Sequence, residues 1–166
     1  MKTFGELPDY SRIWIYQAER DFTDSELTLI KQRSEEFLLQ WTSHENPMDA
    51  AIEVLYKRFI LIGVNEQTAP ASGCGIDKSV GFIRRLQSHL GISLLERMSV
   101  AYLDQNTVQS CSLKEFGVLL KSGKVNENTL VFNNTVNTKK ELASSWKIPL
   151  KNSWVFGRII DSAIKG

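Results

Sequence analysis

The chain has 166 residues, of which 42% are hydrophobic and 23% are charged, and this size and composition favour one globular domain over residues 1–166. Twenty basic residues nearly balance nineteen acidic ones, for a net charge of +1, so no strong field directs the chain to nucleic acid or to an anionic membrane. The longest apolar run, residues 59–64, is much shorter than the roughly 20 residues that span a bilayer.

The N-terminus and the cysteines indicate the compartment. The first residues lack the apolar stretch of a secretory signal, and we predict that residues 1–10 form a flexible segment. Cys74 and Cys111 are the two cysteines, and their spacing fits neither a CxxC redox pair nor a zinc site. We therefore expect free thiols, a cytoplasmic protein, and no metal or cofactor.

The first predicted element is a strand. Residues 12–18 alternate in the manner of an extended strand, with Ile13 and Ile15 on one face and Trp14 and Tyr16 on the other. A strand with two apolar faces needs a packing partner on each side.

A helix and a hairpin follow this strand. A capping box at Thr23–Glu26, followed by apolar residues at helical spacing, predicts a helix over about residues 24–42. Residues 51–56 and 59–64 are rich in β-formers and predict an antiparallel hairpin. A loop is expected over residues 65–76.

The next elements are a second helix and a second hairpin. Asp77 is the expected N-cap of the helix, and Gly91 is the expected residue just beyond its end. Residues 98–103 and 108–112 flank a turn-like segment and predict a hairpin.

The C-terminal part is predicted to alternate helix and strand. Ser112–Glu115 is a second capping box, which opens a short helix. A brief strand is expected at 129–132, and a third box at Thr138–Glu141 opens a helix that Pro149 must end. The segment from residue 153 onward fits either a strand end or a terminal helix.

The order of the first six elements, βαββαβ, indicates the fold class. It matches a ferredoxin-like α+β core with a mainly antiparallel sheet, in which strands one and three are central and both helices cover one face. In that layout Ile13 and Ile15 face the helices. The additional C-terminal elements, with Trp146, Trp154 and Phe156, are then expected to cover Trp14 and Tyr16.

Residues 72–80, which lie before and within the predicted second helix, include an unusual number of side chains that could bind or react with a ligand. Small and polar residues there favour a loop whose N–H groups approach an anion, next to the positive end of a helix dipole. The plainer interpretation is an N-cap with an inert thiol. The candidate ligand-binding residues are Ser72, Gly73, Cys74, Gly75, Asp77, Lys78 and Ser79.

Two further functions stay open. In a small enzyme, Cys74 would act as nucleophile or Asp77 as acid or base, with His44 as the candidate catalytic partner. In an RNA-binding sheet, Trp14 and Tyr16 would stack on bases, although the sequence lacks the strand-three signature of RNA-recognition motifs. Nucleic acid is therefore a disfavoured partner.

One resemblance covers residues 12–156. The runs 59–66 and 72–80, with Trp41–His44 upstream and residues 131–134 and Ser153–Trp154 downstream, resemble an uncharacterised family of small Bacteroidetes proteins. Its members often carry the automatic label "ABC transporter ATPase". The label implies a Walker A loop, which this sequence lacks. The resemblance implies a bacterial cytoplasmic protein and carries over no catalytic residue.

These observations together favour a non-ATPase binding or regulatory module. Its partner would be a small anionic ligand or a protein, bound at residues 65–80, and no membrane is involved.

Overall fold

The structure is a computed structural model that describes residues 1–165, with side chains described as far as residue 161. The helices are α1 (Asp24–Gln40), α2 (Gly73–Leu90), α3 (Leu113–Ser122), α4 (Lys139–Ser145) and α5 (Trp154–Lys165). The strands are β1 (Arg12–Gln17), β2 (Thr42–Ser43), β3 (Asn46–Pro47), β4 (Ala50–Leu55), β5 (Phe59–Val64), β6 (Val100–Asp104), β7 (Thr107–Cys111), β8 (Leu130–Phe132) and β9 (Lys147–Pro149).

The predicted helix starts and hairpins are largely confirmed. At α1 the Thr23 hydroxyl accepts from the Glu26 N–H while the Glu26 carboxylate accepts from the Thr23 N–H. The Arg20 guanidinium, together with that N–H, holds the pKa of Glu26 at about 2. Ser112 caps α3 in the same reciprocal way, and Gly91 ends α2 with a φ of 65°.

The chain is mixed α/β with antiparallel sheets. The first sheet has the order β1-β5-β4, and every residue of β5 is buried. Helices α1 and α2 lie on one face of this sheet, as predicted, and pack on Tyr16, Ile60 and Ile62.

The two faces of β1 are the reverse of the prediction. Tyr16 and Trp14 face α1 and α2, whereas Ile13 and Ile15 face the C-terminal elements. Trp146 covers the face of Ile13. Alternation in a strand shows which residues share a face, but it does not show which neighbour covers that face, and the first helices pack on the aromatic side.

The fourth strand of the expected ferredoxin-like sheet lies elsewhere. β6 pairs with β7 and β8 in a second sheet of order β7-β6-β8-β9, so β5 alone is central in the first sheet. A loop occupies the outer side of β1 instead. The Ile13 N–H donates to the Asn137 carbonyl of this loop at 3.0 Å. The C-terminal segment, whose sequence fits either a strand end or a helix, forms the helix α5.

The first and second sheets share a core and a hydrogen bond from Arg58. Phe59 and Leu61 of the first sheet pack with Phe132 and Trp146 of the C-terminal part. The buried Arg58 donates from Nε to Asp21 at 2.9 Å and from a terminal nitrogen to the Ser110 hydroxyl at 2.6 Å. The turn that leads into β5 is thereby tied to Ser110 of β7.

The N-terminal segment packs against the first sheet at a glycine. Phe4 and Leu7, which fall in the segment predicted to be flexible, are buried. A Cβ at Gly63 would lie 2.6 Å from Leu7 Cδ1 and 2.9 Å from Phe4 Cε2. Only a residue without a side chain therefore allows this close approach.

No helix among residues 1–165 is both long and apolar enough to cross a membrane.

The β4–β5 turn places two large residues in the left-handed region. Tyr56 has a φ of 55° and Lys57 a φ of 52°, and the Arg58 N–H closes the turn on the Leu55 carbonyl at 3.1 Å. These are the central positions of a type I′ turn, where asparagine and glycine are preferred.

We therefore predict that Lys57→Gly stabilises the protein by about 0.5–1 kcal/mol, because glycine adopts this φ without steric cost. The exposed contact of Lys57 with Asp24, at 3.8 Å, contributes little. The measurement is the midpoint of urea unfolding. Lys57→Ala is the control, since it removes the side chain and keeps the strain. A K57G protein less stable than K57A would contradict the turn geometry.

Candidate functional site

The second helix begins earlier than the sequence predicted. Its N-cap is Ser72, whose hydroxyl accepts from the Gly75 N–H at 3.3 Å. Asp77 was expected to be the cap, but it lies one turn inside the helix and is exposed. The first turn holds no acidic residue, so no side-chain carboxylate offsets the positive end of the α2 dipole.

Contacts with the segment after α1 fix the start of α2. The buried Trp41 donates from its indole nitrogen to the Gly75 carbonyl at 2.9 Å. The hydroxyls of Ser43 and Ser72 lie 2.6 Å apart. These bonds hold the first turn of α2 against β2.

A depression of about 610 Å³ opens beside this turn. Three of the predicted site residues line it, namely Cys74, Asp77 and Lys78. The other lining residues are Phe37, Gln40, Trp41, Gly81 and Arg85. The thiol and the carboxylate singled out from the sequence therefore border one hollow.

The remaining candidates have structural roles or lie at the border. Ser79 is 1% exposed and donates its hydroxyl to the Ile76 carbonyl at 2.7 Å. Ser72 is the cap, and Gly75 is buried against Ser43. Gly73 is exposed at the first position of the helix.

The depression continues along the helix pair. A second hollow of about 220 Å³ shares Phe37, Gln40 and Arg85 with it. The other residues that line the second hollow are Arg33, Glu36, Phe82, Leu86 and His89. We call the two hollows together the α1/α2 groove.

The α1/α2 groove has an excess of positive charge. Arg33 pairs with Glu36 at 3.3 Å, and Lys78 donates to the Thr42 carbonyl at 3.0 Å. Among the described side chains, no carboxylate pairs with Arg85. The groove therefore holds one guanidinium that is available to an anion.

Backbone donors add to this charge. In residues 1–165, the N–H groups of Gly73 and Cys74 donate no hydrogen bond. They lie at the N-terminal end of an 18-residue helix, where unpaired N–H groups favour negative charge.

The structure does not bring the proposed catalytic residues into contact. His44 lies in the turn between β2 and β3 with a φ of 51°, is exposed, and does not line the groove. Cys74 is an exposed free thiol. Cys111, the other free thiol, lies on β7, where burial and then the Glu115 carboxylate raise its pKa.

The aromatic residues of β1 do not form a stacking surface. Tyr16 is 2% exposed beneath the helices, and burial raises its pKa despite the nearby Arg97. The Arg12 guanidinium lies 4.8 Å from the Trp14 ring centroid. A base cannot reach the Tyr16 ring in this packing.

Sequence reasoning did not single out the other residues that line the larger hollow, namely Phe37, Gln40, Trp41, Gly81 and Arg85. A usable signal was present for Arg85, because positions 74, 78, 81 and 85 recur at helical spacing and share one face of α2. No local pattern shows that α1 lies beside that face. The contact depends on how the two helices pack.

No metal-binding group of three or more histidine, cysteine, aspartate or glutamate side chains is found in the described part of the chain. Comparisons with family models, with curated proteins and with solved structures find no match to this sequence.

Proposed function

We propose that the protein is a binding module whose α1/α2 groove takes a small anionic ligand with phosphate or carboxylate groups. The observation that carries this proposal is that one depression is lined by Cys74, whose N–H is free, and by Arg85, which has no carboxylate ion-pair partner among the described side chains. Lys78 and Arg85 outnumber Asp77, the one carboxylate that lines this depression. Fixed donors and a guanidinium suit a planar or tetrahedral oxyanion.

The groove also favours a ligand with an apolar part. Phe37 stacks on Phe82 with ring centroids 4.6 Å apart and lies 5.0 Å from the Trp41 ring. Pockets that combine an apolar floor with a few polar groups are typical of small-molecule sites.

The test is an NMR titration of the amide resonances with inorganic phosphate and, separately, with citrate. We expect shifts at Gly73, Cys74 and Gly75. Arg85→Gln should weaken binding roughly tenfold, since a hydrogen bond to a charged group contributes about 1.5–3 kcal/mol.

The matched control is Arg84→Gln, because Arg84 is exposed on the same helix but does not line the groove. Equal affinities of the R84Q and R85Q proteins would show that binding depends only on net charge. Amide shifts spread over the whole surface would contradict a site at α2.

A second candidate function is a small enzyme with Cys74 as nucleophile. Its support is the position of Cys74 in the first turn of α2, where a helix N-terminus favours a thiolate. The rate of iodoacetamide labelling across pH tests it. A thiol that reacts only near its ordinary pKa of about 8.5 removes the nucleophile.

We also propose a fold type, a cellular compartment and a family for the protein. The β1, α1, β4, β5, α2 portion is consistent with a ferredoxin-like split βαβ arrangement without its fourth strand. Two free thiols are typical of a reducing cytoplasm. Membership of the Bacteroidetes family remains a prediction from residues 12–156.

A further inference from the structure

Strand β4 is an open edge of the first sheet. The Asn65 N–H donates to the Asp49 carbonyl at 2.8 Å, which extends the β4–β5 ladder by one pair. In an antiparallel ladder the bonded residues alternate. The backbone groups of Ala50, Ile52 and Val54 therefore point away from β5.

Nothing in residues 1–165 pairs with this edge. No backbone hydrogen bond joins Ala50, Ile52 or Val54 to a segment outside the β4–β5 ladder. Met1, Lys2 and Thr3 lie nearby, yet they make no backbone bond with β4. Ala50 is buried, and Lys2 pairs with Asp49 beside it at 2.6 Å. The accessible part of the edge therefore consists of Ile52 and Val54, whose outward donors and acceptors are free.

Two depressions flank this edge, one on each side of the sheet. The depression on the α1 side has a volume of about 430 Å³, and its apolar lining includes Leu27, Ile30, Leu38, Ile52 and Val54. The depression on the α4 side has a volume of about 530 Å³, and its lining includes Leu55, Tyr56, Leu142, Lys139 and Lys147. Phe4 and Glu53 border both.

A strand added to β4 would use both depressions at once. Successive side chains of a strand point to opposite faces. Residues opposite Ile52 and Val54 would enter the α1 side, and the residues between them would enter the α4 side. Main-chain bonds would supply affinity, and the two depressions would select the side chains.

The two sides differ in chemistry. On the α4 side, Lys139 and Lys147 have no carboxylate ion-pair partner among the described side chains. The Lys139 ammonium donates to the Gly5 and Leu7 carbonyls at 2.8 and 2.6 Å. The Lys147 ammonium instead donates to the Tyr56 hydroxyl at 2.8 Å. The two lysines outnumber Glu53, the one carboxylate of this side, so an acidic side chain suits it. Apolar side chains suit the α1 side, where Lys31 and Glu35 bring both signs of charge to a mainly apolar lining.

We infer that the outer edge of β4 is a docking site for an extended segment of a partner protein in which apolar and acidic residues alternate. The segment adds as a fourth strand of the first sheet. This surface lies outside the α1/α2 groove and shares no lining residue with it.

The probe is a fluorescein-labelled peptide of about eight residues in which valine and aspartate alternate, and the readout is fluorescence anisotropy. The first control is the same peptide with N-methylated valines. Its side chains are kept, but it cannot donate to the carbonyls of Ile52 and Val54. We expect N-methylation to weaken binding by at least about tenfold, the equivalent of 1.4 kcal/mol.

Protein variants test the same geometry. Ile52→Pro removes an outward N–H at an edge position, where proline is tolerated, and should weaken binding about tenfold; a thermal melt checks folding. Lys147→Glu should weaken binding, whereas Lys151→Glu should leave it unchanged, because Lys151 is exposed and lines neither depression.

Two outcomes would overturn the inference. The first is equal affinity for the N-methylated peptide, which would show that no strand is added. The second is a dimer in light scattering that Ile52→Pro dissociates, which would make a second copy of the chain the occupant of the edge.

Discussion

Replacing Phe59 with alanine should lower the free energy of unfolding by about 3–5 kcal/mol, the range for a buried aromatic residue truncated in a core. Phe59 is fully buried, and its ring lies 4.7 Å from that of Phe132 and 5.0 Å from that of Trp146, measured between centroids. The ring joins the first sheet to the C-terminal elements, so its loss leaves a cavity at their shared core.

Urea unfolding followed by far-UV circular dichroism measures this effect. Phe59→Leu is the volume control and should cost less, because most of the cavity stays filled. Val118→Ala is the control for truncation of a side chain outside the core, because Val118 is 61% exposed, and it should change the free energy of unfolding little. A loss below about 1.5 kcal/mol for F59A would show that the two parts do not share this core.

Truncation of Trp41 is expected to have the second large effect on the free energy of unfolding. Trp41→Ala should lower the free energy of unfolding by about 3–5 kcal/mol, because the side chain is 2% exposed and packs on Phe37. Trp41→Phe keeps a ring but leaves the Gly75 carbonyl without its indole donor, and it should cost about 1–3 kcal/mol.

The site gives an independent readout of the Trp41 substitution. In the W41F protein we expect the amide resonances of Gly73 to Ile76 to shift and anion binding to weaken, because the first turn of α2 loses an anchor. Trp154→Phe is the matched control, since the Trp154 indole makes no hydrogen bond among the described residues. Unchanged resonances at Gly75 would mean that the indole bond does not position the turn.

Local signals predicted most of the element boundaries. The capping pattern at Thr23 and Glu26 places the start of α1 because the reciprocal bonds need only residues three apart. The hairpin of β4 and β5 follows from two β-rich runs with a short turn between them. In each case the partners lie close in sequence.

The start of α2 shows where local signals compete. Ser72 and Asp77 are both good N-caps, and the glycines between them are poor helix formers. The sequence therefore favours the later start. The indole bond to Gly75 and the hydroxyl contact of Ser43 with Ser72 stabilise the earlier one, and both come from residues about 30 positions away.

The arrangement of the sheets depends on long-range packing in the same way. β6 could extend the first sheet or begin a second one, and its own residues suit either place. The loop at Asn137 occupies the outer side of β1 and excludes β6 from it. The residues of the α1/α2 groove on α1 were missed for the same reason.

The missing side chain at Gly63 has a consequence for the open edge of β4. Gly63 pairs with Ala51 of β4, and any methyl group there would displace Phe4, which borders both flanking depressions. Gly63 thus sets the position of the amino-terminal residues and the width of the space into which a partner segment would dock on β4. A larger residue at position 63 would change the affinity for that segment without contacting it.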